Sequence, residues 1–281
     1  FAMVVLEKAL SRPHPELDLV TTPAGDPVAM VHCNNGASEL GAWAAVFGQF
    51  AAALAAPAAA AGPDQAGGQG GGPGPAGGGA AGADQAGAVG APAAGRVFEI
   101  LFQAASAGEP DGGGLLAYNL LAGEPLVGLA EGRPLIARTP GSRLTLANLM
   151  RAQIYAAFAA LALGMRVLAA EGVQVKAVYG HGGVFKTPGV AARLLAAAIG
   201  APVGLAASAA EGGAWGIALL ARYLEAARDG LSLAEFLDQT VFADAPVAVS
   251  APLAADVAGF AAFLERYQAG LAVERAAVDA I

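Results

Sequence analysis

At 281 residues the chain has material for one large or two modest domains with a substantial core. Hydrophobic residues make up 56% of it, but alanine inflates that figure and aromatics reach only 6%, so helices must pack through many small contacts. A formal charge of -8 offers no basic stripe for nucleic acid, and a single cysteine, Cys33, excludes an internal disulfide and a cysteine-rich metal site.

A nucleotide remains compatible with this charge, because it needs only a few backbone donors and a lysine. The start lacks the basic region, apolar run and cleavage site of a secretory signal. Gly, Arg or Glu interrupts the apolar helical stretches, so no membrane span is expected, and the single cysteine makes a reducing, cytoplasmic setting the default expectation. Phe1 falls inside a predicted strand with no initiator methionine before it, which reads as the start of a fragment.

In chain order, Phe1 to Leu6 is an apolar run suited to a strand. Leu17 to Thr22 and Pro27 to His32 flank the turn cluster Pro23-Ala24-Gly25-Asp26 and predict a hairpin. Asn34, Asn35 and Gly36 supply turn chemistry, and Ser38 opens a helix to about Leu54. From about residue 55 to 95 the composition collapses to Ala, Gly and Pro, and Asp64-Gln65-Ala66-Gly67 returns as Asp84-Gln85-Ala86-Gly87. Such a segment buries too little side chain to offset its ordering entropy, so a flexible insertion is expected there.

Val97 to Ala107 predicts a short helix, and Gly114 to Leu121 and Pro125 to Leu129 predict strands around Gly123-Glu124. Leu144 to Ala170 predicts a long helix whose apolar stripe belongs to the core. The second half alternates: a buried-type strand Val173 to Tyr179, a glycine loop, a helix Val190 to Ile199 ended by Gly200, a strand Pro202 to Leu205, and a helix Gly212 to Ala227. Ser232 and Glu235 stand at capping-box spacing, and Leu253 to Ala280 closes the chain as an amphipathic helix. Strands alternating with helices indicate an α/β layered fold.

The loop Gly180-His181-Gly182-Gly183-Val184-Phe185-Lys186-Thr187 leaves a strand and enters a helix, where free amides and the helix dipole favour an anion. Phe185 stands where a Walker A loop and a dinucleotide GxGxxG both need glycine, so neither motif matches. The bland alternative is that these glycines only permit a tight strand-to-helix turn. Two further loops offer walls: Glu211-Gly212-Gly213-Ala214-Trp215-Gly216, where small residues permit close approach, and His32 to Glu39. Glu124 and Glu211 read as single turn acids with capping or solvated roles, and His181 as a turn residue.

Taken together, GHGGVFKTPGVAARLLAAAIGAPV, EGGAWGIALLA and AMVHCNNGASELGAW resemble the C-terminal half of FGGY carbohydrate kinases, in a subgroup with xylulokinase-like or ribulokinase-like wording. The resemblance implies an actin-like ATPase (ribonuclease H-like) domain, a mixed sheet flanked by helices, spanning residues 1–281 as one nucleotide-binding domain. It implies ATP with Mg2+ as cofactor, and Gly180, Gly182, Gly183, Lys186, Thr187, Gly212 and Gly213 as the nucleotide-binding residues. The sugar, a ketopentose of the xylulose or ribulose type, its catalytic aspartate and much of the Mg2+ environment would belong to an N-terminal domain absent here. The fragment alone is therefore expected to be inactive, with no catalytic or metal-ligating residue of its own. A homodimer is left open. The alternatives are a non-catalytic regulatory module on the same fold, an unrelated dinucleotide-binding α/β enzyme, and a scaffold without a ligand.

Overall fold

The computed structural model describes residues 1–55, 91–206, 212–243 and 245–281. Most of the expected low-complexity insertion therefore lies outside the described residues, as does Glu211. The chain forms β1 (Ala2–Val5), β2 (Asp18–Thr21), β3 (Pro27–Val31), α1 (Ser38–Ala55), α2 (Ala91–Ser106), β4 (Leu116–Tyr118), β5 (Leu135–Ala137) and α3 (Leu146–Ala170). It continues with β6 (Val178–Tyr179), α4 (Val190–Ile199), β7 (Val203–Ala206), α5 (Gly212–Arg228), α6 (Leu233–Phe236), β8 (Val247–Ser250) and α7 (Ala254–Ala280).

The fold is α/β, as the alternation required, but its strands fall into three small sheets. One is antiparallel in the order β1-β3-β2, one pairs β4 with β5, and the third is the mixed sheet β6-β7-β8. In the third, β6 and β7 run parallel while β8 returns antiparallel. The predicted hairpin is β2-β3, closed by Thr22 and Asp26 through a backbone bond and a hydroxyl-to-carboxylate bond of 2.9 Å.

Helix α3 is the centre of the molecule. Thr145 caps it by accepting the Asn148 amide at 3.1 Å, and α2, α4, α7 and β4 cover its sides. Of the predicted stripe Leu146, Leu149, Met150, Ile154, Phe158, Leu161 and Met165, all are buried except Leu146, which is exposed at the helix start, and Leu161, which is half-buried. By length and composition α3 could cross a membrane, but its most apolar window is 67% buried inside the fold. The interruptions read from sequence did not prevent that length, because Gly164 and Arg151 both sit within packed helix.

Arg151 is wholly buried and ties the core together. Its Nη1 donates to Asp256 at 2.9 Å, while Nε and Nη2 donate to the carbonyls of Ala105 and Ser106. Arg193 of α4 also donates to Asp256, so one carboxylate at the start of α7 joins α2, α3 and α4. Burial raises the Asp256 carboxyl, but hydrogen bonds and charge from Arg193 and Arg151 outweigh it and leave the group below its ordinary value.

Three predicted elements differ. Helix α2 begins at Ala91, six residues before the expected Val97 and inside the segment assigned to the insertion. Pro125 to Val127 is a short 3-10 turn ended by Gly128 at φ 67, not a strand. Pro125 removes one ladder donor and Gly128 turns the chain, so only an isolated bridge between Glu124 and Leu129 survives. Of the strand expected over Val173 to Tyr179, only β6 pairs.

Candidate functional site

The glycine loop divides into three different roles. Gly180 is buried: a Cβ there would meet Leu205 Cδ2 and Phe185 Cζ at 2.8 Å, so this glycine admits a close approach. The Phe185 ring packs against the main core cluster, which explains why the position that fails both phosphate motifs carries a large side chain. Gly182 has φ 112 and ψ 172, a conformation open essentially to glycine alone. Beyond it, residues 183–186 form a single 3-10 turn.

Around Gly182 and Gly183 the surface is open, since an added Cβ would meet nothing within 4 Å at either position. Lys186 is exposed beside them, whereas Thr187 is buried with 8% of its surface accessible. Helix α4 then starts from Gly189 in the left-handed region, with no side chain capping its free amides. Val190, Ala191 and Ala192 of that first turn are buried, so what faces outside is the bend before it. Gly212 and Gly213 open α5, and Gly213 likewise has nothing within 4 Å of an added Cβ.

A cavity of about 1260 Å³ lies behind the bend. Gly180 and His181 reach its wall, together with Cys33, Asn35, Gly36 and Ala37 from the loop before α1. Among the described residues, Gly182, Gly183, Lys186, Thr187 and Gly213 do not line it. Its floor is apolar, from Phe158, Leu161 and Met165 of α3 and from Leu195 and Ile199 of α4. That floor offers a phosphate no donor. Burial, reinforced by the Glu124 charge, pushes the Cys33 thiol up to about 12, so it is a poor nucleophile.

Glu124 corrects the sequence reading. It is wholly buried, and its Oε2 accepts the backbone amides of Asn34 and Asn35 at 3.0 and 3.3 Å and Asn35 Nδ2 at 3.2 Å. The Asn35 side chain completes the joint by bonding the Ala122 amide and carbonyl. The acid thus pins the loop before α1, where a cap or solvated role was expected. Nothing near Glu124 in sequence signals this, because its partners are about ninety residues away.

Residues 1–225 match the family model of the C-terminal domain of the FGGY family of carbohydrate kinases. The chain belongs to that family. Three solved structures share its fold. The FGGY domain aligns with a xylulose kinase from Lactobacillus acidophilus at 15% identity and TM-score 0.61, covering 96% of this chain and 45% of that one. It aligns with a xylulose kinase from Rhodospirillum rubrum at 18% identity and TM-score 0.56, covering 96% and 44%. A third, the xylulose kinase from Bifidobacterium adolescentis, gives 14% identity and TM-score 0.54, with 94% and 41% covered. The FGGY domain therefore spans less than half the length of each of these kinases. No curated protein matches the chain.

Proposed function

We propose that this FGGY domain is the ATP-binding half of a sugar kinase with the actin-like, ribonuclease H-like fold, acting on a ketopentose of the xylulose or ribulose type. Residues 1–281 would form one nucleotide-binding domain, with the sugar site in a separate N-terminal domain. The observation that carries this reading is the open bend, where Gly182 and Gly183 leave room for a ligand that a side chain would exclude, with Gly213 equally open at the start of α5.

Phosphate oxygens of ATP would rest on the amides of the bend at Gly182 and Gly183, with Lys186 as a mobile counter-charge. Gly212 and Gly213 would face the adenine. A helix start contributes roughly 0.3–1 kcal/mol toward an anion, and micromolar binding needs about 8 kcal/mol. Both walls are therefore required. Gly180 and Thr187, both buried, would shape the bend from behind.

Among the described residues no group of three His, Cys, Asp or Glu side chains is placed to hold a metal ion. These residues do not fit Mg2+, which would arrive bound to ATP. The base that takes the sugar hydroxyl proton would also come from the other half, and the same reading places the enzyme in the cytoplasm.

The test is calorimetric titration of Mg-ATP and ADP into the chain, beside the Gly183→Val variant. Because Gly183 is open, the variant should keep the native melting temperature and lose nucleotide affinity. A native-state ligand at one hundred times its Kd raises stability by about 2.7 kcal/mol. No shift at millimolar ATP, or equal binding by the variant, refutes the proposed site. Absence of sugar-stimulated ATP turnover in the longer polypeptide refutes the kinase reading.

A further inference from the structure

The loop between β3 and α1 carries a chemistry that the nucleotide reading does not use. Of the four asparagines in the chain, only Asn35 is followed by glycine. Asparagine is a thermolabile side chain, and this pair is its readiest context. A glycine nitrogen, unshielded by a side chain, can reach the asparagine Cγ and close a five-membered ring. Gly36 is exposed, and nothing lies within 4 Å of the Cβ it lacks. Its φ is not among the positive ones, so the bend does not require glycine here.

The fold holds the reactive amide away from that nitrogen. Asn35 Nδ2 donates to the Ala122 carbonyl at 3.1 Å and to Glu124 Oε2 at 3.2 Å, and Oδ1 accepts the Ala122 amide at 2.9 Å. On the main chain, Glu124 Oε2 accepts the Asn34 and Asn35 amides, and Asn119 Nδ2 donates to the Gly36 carbonyl at 2.9 Å. Both ends of the Asn35 amide are therefore engaged, and so are the peptides on either side of it. Asn35 and Asn119 are 6% and 3% exposed, and Glu124 is wholly buried. Turning the amide toward Gly36 would break these side-chain bonds together, in a site that offers no water to replace them.

We propose that Asn35-Gly36 is a deamidation site that the clasp around Glu124 holds shut, and that its reaction, once the loop has opened, is one-way. In that reaction a solvent base takes the Gly36 amide proton and the nitrogen bonds to Asn35 Cγ. The carbon then expels Nδ2, which takes a proton from solvent and leaves as ammonia. Water opens the imide at Cγ to give aspartate, or at the main-chain carbonyl carbon to give isoaspartate. One water is consumed and one ammonia released, with no change of oxidation state.

The product does not fit the clasp. Where Nδ2 donated, aspartate presents an oxygen to Glu124 Oε2 and to the Ala122 and Gly123 carbonyls, all of them acceptors. Two carboxylates in one buried site repel, so one must take a proton or leave. Isoaspartate also lengthens the main chain between the Asn34 amide and Gly36. The same loop walls the cavity through Cys33, Asn35, Gly36 and Ala37, so a loop that stays open uncovers Cys33.

The experiment ages the full chain at mildly alkaline pH, folded and in urea, and follows aspartate and isoaspartate at position 35 by peptide mapping. Conversion should be at least about thirtyfold slower in the folded chain, because reaction waits on local opening. Gly36→Ala, which the open position admits, should suppress conversion in both states. Glu124→Ala should speed it under native conditions. Equal rates in the two states, conversion undiminished by Gly36→Ala, or an unchanged rate in Glu124→Ala overturns the protection. For the one-way step, urea-aged chains are refolded beside unaged ones. Converted molecules should keep a reactive Cys33 and a lowered melting temperature, and aged Gly36→Ala should match its unaged control. Asn35→Asp, expressed directly, gives the same comparison without refolding. A native melting temperature and a protected Cys33 in Asn35→Asp overturn the one-way closure. No nucleotide enters these readouts, so their failure is distinct from failure of the ATP site.

Discussion

Replacing Asp256 by alanine tests the packing that holds the helices in place. The carboxylate is 1% exposed and accepts from Arg151 Nη1 at 2.9 Å, Arg193 Nε at 2.5 Å and Arg193 Nη2 at 3.0 Å. Arg193 is one-third exposed and can turn to water, but Arg151 is 1% exposed and has nowhere to go. Removing one partner of a buried ion pair costs about 3–5 kcal/mol, because a charge is left without compensation. The two carbonyl bonds that Arg151 keeps hold the cost near the lower end. Taking about 2–4 °C per kcal/mol and a cost of about 3 kcal/mol, the melting temperature should fall by roughly 6–12 °C.

The assay is urea unfolding of the native chain, Asp256→Ala, Arg151→Met and the double variant. The double variant should be more stable than the sum of the single losses predicts, by about 1–3 kcal/mol, since it removes both buried charges. The pH dependence gives a second check. Because the folded-state pKa of Asp256 lies below its unfolded value of about 3.9, its contribution is fully present above that pH and is lost as pH falls through the folded value. The gap between native and Asp256→Ala should be constant from about pH 5 to 7 and narrow below about pH 4. Additive losses in the double variant, or a single-variant loss under about 1 kcal/mol, would refute this account of the core.

Glu124→Ala should destabilise by about 2–4 kcal/mol, because it strips the acceptor from two amides and the Asn35 side chain; chemical unfolding measures it. Lys186→Ala should change stability by less than about 0.5 kcal/mol, as an exposed residue. It should nonetheless weaken ATP binding about five- to tenfold, with a reduced salt dependence in calorimetry. Cys33, raised to about 12 by burial, should react with a thiol reagent at pH 8 roughly a hundredfold more slowly than a free cysteine; full reaction on unfolding in urea is the control.

Local periodicity was enough to place most elements. Helix α4 spans Val190–Ile199 as its flanking glycines indicate, and Ser232 with Glu235 forms the expected capping box. Both are decided by neighbours within one turn. The 3-10 turn at Pro125–Val127 was mistaken for a strand, since a short apolar run carries no mark of whether a partner will pair with it. The glycine loop was legible as a bend. That Gly180 is closed by Phe185 while Gly183 is open depends on which core each side chain reaches.

The amino-acid order by itself determined the helices, the hairpin, the bend at residues 180–187 and the family, because each rests on spacing along the chain. Only the tertiary structure decided that Glu124 clasps Asn34 and Asn35, that Asp256 joins Arg151 to Arg193, and that β1 and residues 173–179 line one cavity. Those pairings bring together residues 63 to about 170 positions apart, chosen by the burial of apolar faces around α3. Burial then decides which polar groups must find partners, and no local pattern encodes that choice.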